Sequence, residues 1–439
     1  MIHVTSERCK MGKNLIFITM ARLVDISRRG IYTDLLRKFR SEGWNIYIVT
    51  PHERSFGLPT ELVNLNDNLD DNVNLNDNLN DDGKVGDVYV LGVKTLNLQK
   101  TSTIEKGIGQ VLVEGQYKKA IKRYLPDVKF DLILYSTPPI TFPKVIAYLK
   151  KRNPQAMSYL LLKDIFPQNA VDIGMMSKTG VKGVLYRFFR RKEKKLYALS
   201  DYIGCMSPAN VEYVLAHNAE VSAERVEVAP NSVELNDNHN ANLKAVREKY
   251  GLPVDKPVFI YGGNLGKPQG IPFLIECLEA NVHREDCHFV VIGTGTELPK
   301  LKAWYNDNVN HNANFNVTVM EGLPKAEYDE LVRSCDVGLI FLDHRFTIPN
   351  FPSRLLSYLE NKMPVLCATD PNCDMGRIAE ENGFGFWCES NSVEAFTAIL
   401  DRMISADRTA VGEKGFAFLK ENYLVENTYN AIVKHLVQG

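Results

Sequence analysis

Residues 257–280 read PVFIYGGNLGKPQGIPFLIECLEA. The run 257–261 is short, apolar and rich in β-branched and aromatic side chains, as a buried strand is. Residues 262–270 form a glycine loop, and 272–280 read as a helix. Strand, glycine loop and helix in that order make a βα unit, whose loop lies at the carboxyl end of a parallel strand, where ligands of doubly wound sheets sit. Glycines let backbone amides approach a phosphate closely, the following helix start offers unpaired N–H groups, and Lys267 adds a positive charge. A sharp βα turn needs glycine for its angles as well, so the loop by itself leaves both readings open.

Outward from this unit the pattern repeats. Residues 288–292, 315–320, 337–341 and 364–368 read as further strands with helical stretches between, making a second Rossmann-like domain. Upstream, residues 14–20, 45–50, 88–93, 131–135, 158–162 and 202–206 read as strands of a first one, and 32–42 as a helix covering its sheet. The stretch 232–255 is polar and shows no strand pattern, which places the domain join there. The fold class is therefore α/β, with two Rossmann-like domains facing across a cleft: 1–235, then 236–415, followed by a closing helical segment at 416–439.

Composition agrees with a two-domain globular chain. The 439 residues are 45% apolar and 24% charged, with a formal charge of -1 that offers no global attraction to nucleic acid or an anionic surface. The 8 cysteines show no CxxC or zinc-like spacing and read as buried thiols in a reducing compartment. No apolar run is long enough to span a membrane, and MIHVTSERCKMGK lacks a signal peptide's apolar core, so a cytoplasmic location is expected. The polar start reads as an extension, with Met11 an alternative first residue. Asn/Asp-rich tracts at 64–82, 234–242 and 306–316 read as solvated insertions; none has the ligand spacing of a calcium loop, and no metal is expected.

Three more loops follow strands at the same predicted edge. Gly293-Thr294-Gly295 is a second glycine turn. Pro324 closes an EGLP loop, and Pro352-Ser353-Arg354 begins a helix whose Arg354 offers a bidentate fork for an anion, with Ser357 one turn on. Pro-Ser-Arg is also an ordinary capped helix start. In the first half, the stretch 178–195 is basic and aromatic, the composition of a helix that lies on an anionic membrane through Arg187, Arg190, Arg191 and Lys194, or of a solvated surface helix.

Together, YGGNLGKPQG, IGTGTE, EGLP and FPSRLLSYLENKMPVL resemble the family 4 glycosyltransferases of the GT-B fold. YSTPPITFPKVIAYLKKR, LKDIFPQNA and CMSPANVEYV resemble the branch that adds amino sugars in bacterial surface-polysaccharide assembly, fucosamine transferases among them. The resemblance implies retaining transfer from a nucleoside-diphosphate sugar to a lipid-linked or saccharide acceptor in capsule or O-antigen synthesis. It implies no cofactor, a polyprenyl-diphosphate acceptor entering from the N-terminal domain, work at the inner face of the cell membrane, and a last helix crossing back. Carried over by position, Gly263, Asn264, Gly266 and Gln269 fall in the diphosphate loop, and Gly293 and Gly295 in the nucleotide-facing turn.

The chain departs from that pattern at several of these positions. Asn264 and Gln269 stand where the family carries Arg and Lys, leaving Lys267 or Arg354 to supply charge. The paired glutamates fall at Pro349 and Ser357, and the family's His-Asp appears as Lys163-Asp164, leaving Asp164 as the candidate catalytic carboxylate or as the cap of a turn. Front-face displacement, implied by the same resemblance, needs positioning and charge neutralisation more than a strong base. A nucleotide-sugar epimerase would share these features, and a non-enzymatic sugar-binding protein would share the two lobes. Residues 21–25, after the first strand, are no GxGxxG loop, which speaks against NAD chemistry.

Overall fold

The computed structural model describes residues 12–66, 85–98, 103–235, 242–309 and 315–436. The start, Cys9, and residues 67–82, 236–241 and 310–314 of the three Asn/Asp-rich tracts lie outside the described residues. The third tract is not wholly a solvated insertion, because its first residues end the helix Leu298–Val309 and Asn316 is buried, its Nδ2 donating to the Asn281 and Arg284 carbonyls.

Two sheets organise the chain. The first contains β1 (Asn14–Ile18), β2 (Asn45–Glu53), β3 (Glu61–Asn64), β4 (Val88–Thr95), β5 (Leu132–Ser136), β6 (Met157–Leu162), β7 (Tyr202–Cys205) and β8 (Val226–Val228), in spatial order β3-β4-β2-β1-β5-β6-β7-β8. Only β3 runs antiparallel to its neighbour. The second contains β9 (Val258–Asn264), β10 (His288–Thr294), β11 (Val317–Glu321), β12 (Val337–Phe341), β13 (Val365–Thr369) and β14 (Gly385–Glu389), in the order β11-β10-β9-β12-β13-β14 and all parallel. Every strand expected from the apolar runs is present. The three not foreseen, β3, β8 and β14, are short and lie at sheet edges, where one-sided burial leaves little apolar signal.

Strand order reverses at β9 and β12, the position at which such sheets open a crevice. These two strands pair over only Val337↔Phe259 and Gly338↔Ile260. Beyond Ile260 they part, and the Tyr358 hydroxyl enters the gap, accepting from the Gly262 amide at 3.3 Å and donating to the Ile260 carbonyl at 3.1 Å. That satisfies backbone groups the missing ladder would otherwise strand in a dry interior.

The closing segment is not one helix. It comprises Arg408–Asn422 and Val425–Val433, broken where Leu424 pairs with Val233 on the outgoing crossing. The Val233 amide donates to the Tyr423 carbonyl at 2.9 Å, and the Val425 amide to the Val233 carbonyl at 3.1 Å. A helix cannot make these bonds without ending. Beyond the break the chain packs on the first domain: Tyr429 meets Phe39 edge-on at 4.8 Å, and Ile432 is fully buried in that domain's core.

Candidate active site

The first glycine loop is tied together by its own amides. Asn264 Nδ2 donates to Gln269 Oε1 at 2.9 Å, and the Gly266 amide donates to the same oxygen at 3.2 Å. Gly270, at φ +58°, ends a short 3₁₀ turn and begins the helix Ile271–Ala280, a conformation that favours glycine. Asn264 and Gln269 therefore shape the loop, and Gly263, Asn264 and Lys267 are its exposed residues. The second loop is laid against the first. A Cβ on Gly293 would stand 1.8 Å from the Gly263 carbonyl oxygen, and one on Gly295 2.2 Å from that of Leu265. These two glycines are required by backbone packing between β9 and β10, whatever binds beside them.

Arg354 completes this corner. Its guanidinium lies 4.2 Å over the Tyr261 ring, and a Cβ built on Gly263 would be 3.7 Å from Nη2. Nη1 is buried and finds no partner among the described residues. Among the described residues no carboxylate pairs with Arg354, which is surrounded by Tyr261, Tyr328 and Tyr358. A buried guanidinium without a counter-anion is costly, and an anion arriving beside Gly263 would complete it. Lys267 is exposed and makes no ion pair among the described residues.

The remaining predicted positions lie nearby with weaker roles. Ser353 precedes the helix Arg354–Glu360 and makes no capping bond, so the capped-start reading does not hold. Ser353 and Ser357 border an inter-domain recess of about 170 Å³ shared with Arg29 and Glu360, which form an ion pair at 2.7 Å. Pro324 is exposed and begins the helix Lys325–Arg333. Pro349, at one of the glutamate positions, is buried, and its carbonyl accepts from Asn210 Nδ2 at 2.7 Å across the domain contact.

Across the cleft, Asp164 follows β6. Asn169 Nδ2 donates to both its oxygens at 2.8 Å, and its amide and carbonyl bond the Thr137 hydroxyl at the end of β5. Burial pushes its carboxyl up to about 6, against the bonds from Asn169 and the Ile165 amide. Burial likewise pushes the neighbouring Lys163 ammonium down to about 7; its Nζ donates to the Ala229 carbonyl at 3.2 Å. The Asp164 loop reaches the second domain through Asp172, which accepts from the Thr347 amide at 2.9 Å. Asn169 and Thr137 were not foreseen. Asn169 lies only five residues along the chain, whereas nothing local to Thr137 points to Asp164.

A cavity of about 670 Å³ is elsewhere. It lies between the helices Pro208–His217 and Met375–Glu381 and holds none of the predicted donor residues. Among the described residues no three His, Cys, Asp or Glu side chains gather as a metal set.

On the basic helix, now Gly180–Leu199, the expected membrane face is corrected. Arg190 turns inward, donating to Glu193, the His217 carbonyl and Asn218 Oδ1, because the neighbouring helix end supplies acceptors. Lys194 pairs with Glu220 at 3.0 Å, while Arg187 and Arg191 are exposed. No helix among the described residues is long and apolar enough to cross a membrane.

Residues 243–417, which carry the glycine loops and Arg354, match the family model "Glycosyl transferases group 1". The match lies wholly in the second half of the chain. The chain is 24% identical over 276 residues to "Probable glycosyltransferase WbjE" of Pseudomonas aeruginosa, and 26% identical over 185 residues to WcaI of Escherichia coli, named for colanic acid biosynthesis. These alignments cover 60% and 40% of this chain, and the chain spans 64% and 44% of the two relatives' lengths. Among solved structures it is similar to HepE of Anabaena in complex with UDP, at 13% identity, a TM-score of 0.65 and coverage of 97% and 100% of the two chains. That likeness shows the fold. The chain has the GT-B fold.

Proposed function

We propose that this chain is a retaining glycosyltransferase of bacterial surface-polysaccharide assembly, moving an amino sugar from a nucleoside-diphosphate sugar to a lipid-linked saccharide. The single observation that carries the donor assignment is Arg354: a guanidinium buried over Tyr261, with no carboxylate partner among the described residues, beside the exposed Gly263 backbone at the reversal of strand order. Two phosphates there would meet that charge and the exposed Lys267 ammonium. The glycosyltransferase family match and the relatives named for glycosyl transfer support the reaction class. HepE, solved in complex with UDP, supports a nucleotide as the ligand.

In the proposed reaction the acceptor oxygen attacks the anomeric carbon on the face the diphosphate leaves. Arg354 and Lys267 neutralise the leaving group, and the diphosphate takes the acceptor's proton. Asp164, held by Asn169, orients a sugar hydroxyl. The protein works at the inner face of the membrane, with Arg187 and Arg191 facing the surface.

A thermal-shift screen against UDP, GDP, dTDP, CMP and NAD tests the donor site, because a ligand bound only to the folded state raises Tm. One nucleoside diphosphate is expected to raise Tm, and Arg354→Ala to weaken its binding at least about tenfold, the value of one charge-assisted bond pair. A shift by NAD alone, or an equal shift in the variant, would overturn the assignment.

A further inference from the structure

Helix Gly180–Leu199 and helix Thr103–Tyr124 border a groove of about 420 Å³ on the first domain. Val181, Val184, Leu185 and Phe188, at spacings of three, four and seven, are exposed on one face of the former at 91%, 60%, 49% and 40%. Val111 on the other helix is 63% exposed. The same helical face continues past Phe188 as Arg191, Lys192 and Lys195, so it turns from apolar to basic along its length.

The basic end is rich in unspent charge. Lys192 pairs with the buried Glu114 at 2.9 Å, and the other oxygen of Glu114 accepts from the Lys144 amide, so the one carboxylate lining the groove among the described residues is neutralised. The ammonium of Lys144, Arg191 and Lys195 are exposed and form no ion pair among the described residues. Thr141, also lining the groove, is 5% exposed, and its Oγ1 has no hydrogen-bond partner among the described residues. The groove's walls are joined to the segment that carries Asp164. Thr141 lies four residues past Thr137, which bonds Asp164, and Phe189 packs edge-on against Phe166 at 5.1 Å.

We propose that this groove binds the diphosphate of a lipid-linked acceptor, with its apolar chain along Val181–Phe188 and Val111 and its phosphates on Lys144, Arg191, Lys195 and the Thr141 hydroxyl. The assignment rests on the lipid-linked acceptor reading above and gives that acceptor a place. An apolar row ending in three unpaired cations matches an amphiphile whose anionic head follows a hydrocarbon tail. A free anion would leave the apolar row exposed, and a neutral lipid would leave the cations unused.

Farnesyl diphosphate is the probe, titrated by calorimetry into the full chain with saturating UDP present to occupy the donor site. Pyrophosphate and farnesol are the comparators. Arg191→Ala with Lys195→Ala, and separately Val184→Asp with Leu185→Asp, are each expected to weaken farnesyl diphosphate binding at least about tenfold. Pyrophosphate and farnesol should each bind at least about tenfold more weakly than the joined molecule. Undiminished affinity in either double variant, pyrophosphate binding as tightly as farnesyl diphosphate, or no binding at all overturns the proposal. The nucleotide-induced Tm shift, measured in the same proteins, should be unchanged. Its absence in the wild type would sink the donor assignment while leaving the groove result standing.

Discussion

Asp164 holds its proton more tightly in the folded protein, up to about 6 from 3.8, because burial opposes its charge. A carboxyl group raised in this way favours folding most at pH below its unfolded value. That advantage is lost as pH rises through the window from about 4 to about 6, and the cost is constant above it. Asp164→Asn, which has no such proton to lose, should therefore gain in Tm relative to the wild type across that window. If the ionised carboxylate orients a sugar, wild-type turnover rises with pH through about 6, and the variant loses both that inflection and about 100-fold in kcat. An unchanged pH profile would reduce Asp164 to a turn residue. The candidacy of Asp164 was legible in LKDIFPQNA, but its environment was not. Thr137 and the desolvating walls come from elsewhere in the chain, and no local pattern announces them. Arg354 divides the same way: its place at a helix start is readable, whereas the Tyr261 ring beneath it and the empty Nη1 are tertiary facts.

At the level of elements, the two glycine turns are one structure. Gly293 has φ +159°, and its missing Cβ makes room for the Gly263 carbonyl oxygen. Gly293→Ala should cost about 1–3 kcal/mol by forcing β9 and β10 apart, measured by chemical denaturation, and should weaken nucleotide binding by moving Gly263. Normal stability with lost binding would instead mean that Gly293 faces the ligand directly. The last helix makes a second case. Its apolar residues were readable, but the break at Leu424 was not, because the pairing with Val233 that stops the helix joins residues far apart in sequence. Ile432 lies in the first domain's core, so Ile432→Ala should cost about 2–4 kcal/mol, although the residue follows the second domain in sequence. A loss under about 1 kcal/mol would mean that the crossing helix detaches readily.

For the whole molecule, a few buried polar ties hold the lobes beside the cleft. Asp374 of the second domain accepts from the Ser207 hydroxyl at 2.7 Å and the Ala209 amide at 3.0 Å in the first. Asp374→Ala strands both donors and should cost about 2–3 kcal/mol, seen as a lower Tm and as domains that unfold in separate steps. One cooperative transition at the wild-type Tm would show that the paired crossings at Val233 and Leu424 suffice. By itself the sequence determined the succession of βα units, the two-domain division into parallel sheets and the edge on which the glycine loops stand. Apolar period and glycine placement are local quantities that a single chain displays. Tertiary structure alone decided which charges are spent. Arg190 is tied to His217 and Asn218, Lys192 to Glu114, and Arg354 to no carboxylate among the described residues, since a side chain's burial and partners depend on residues that only folding brings together.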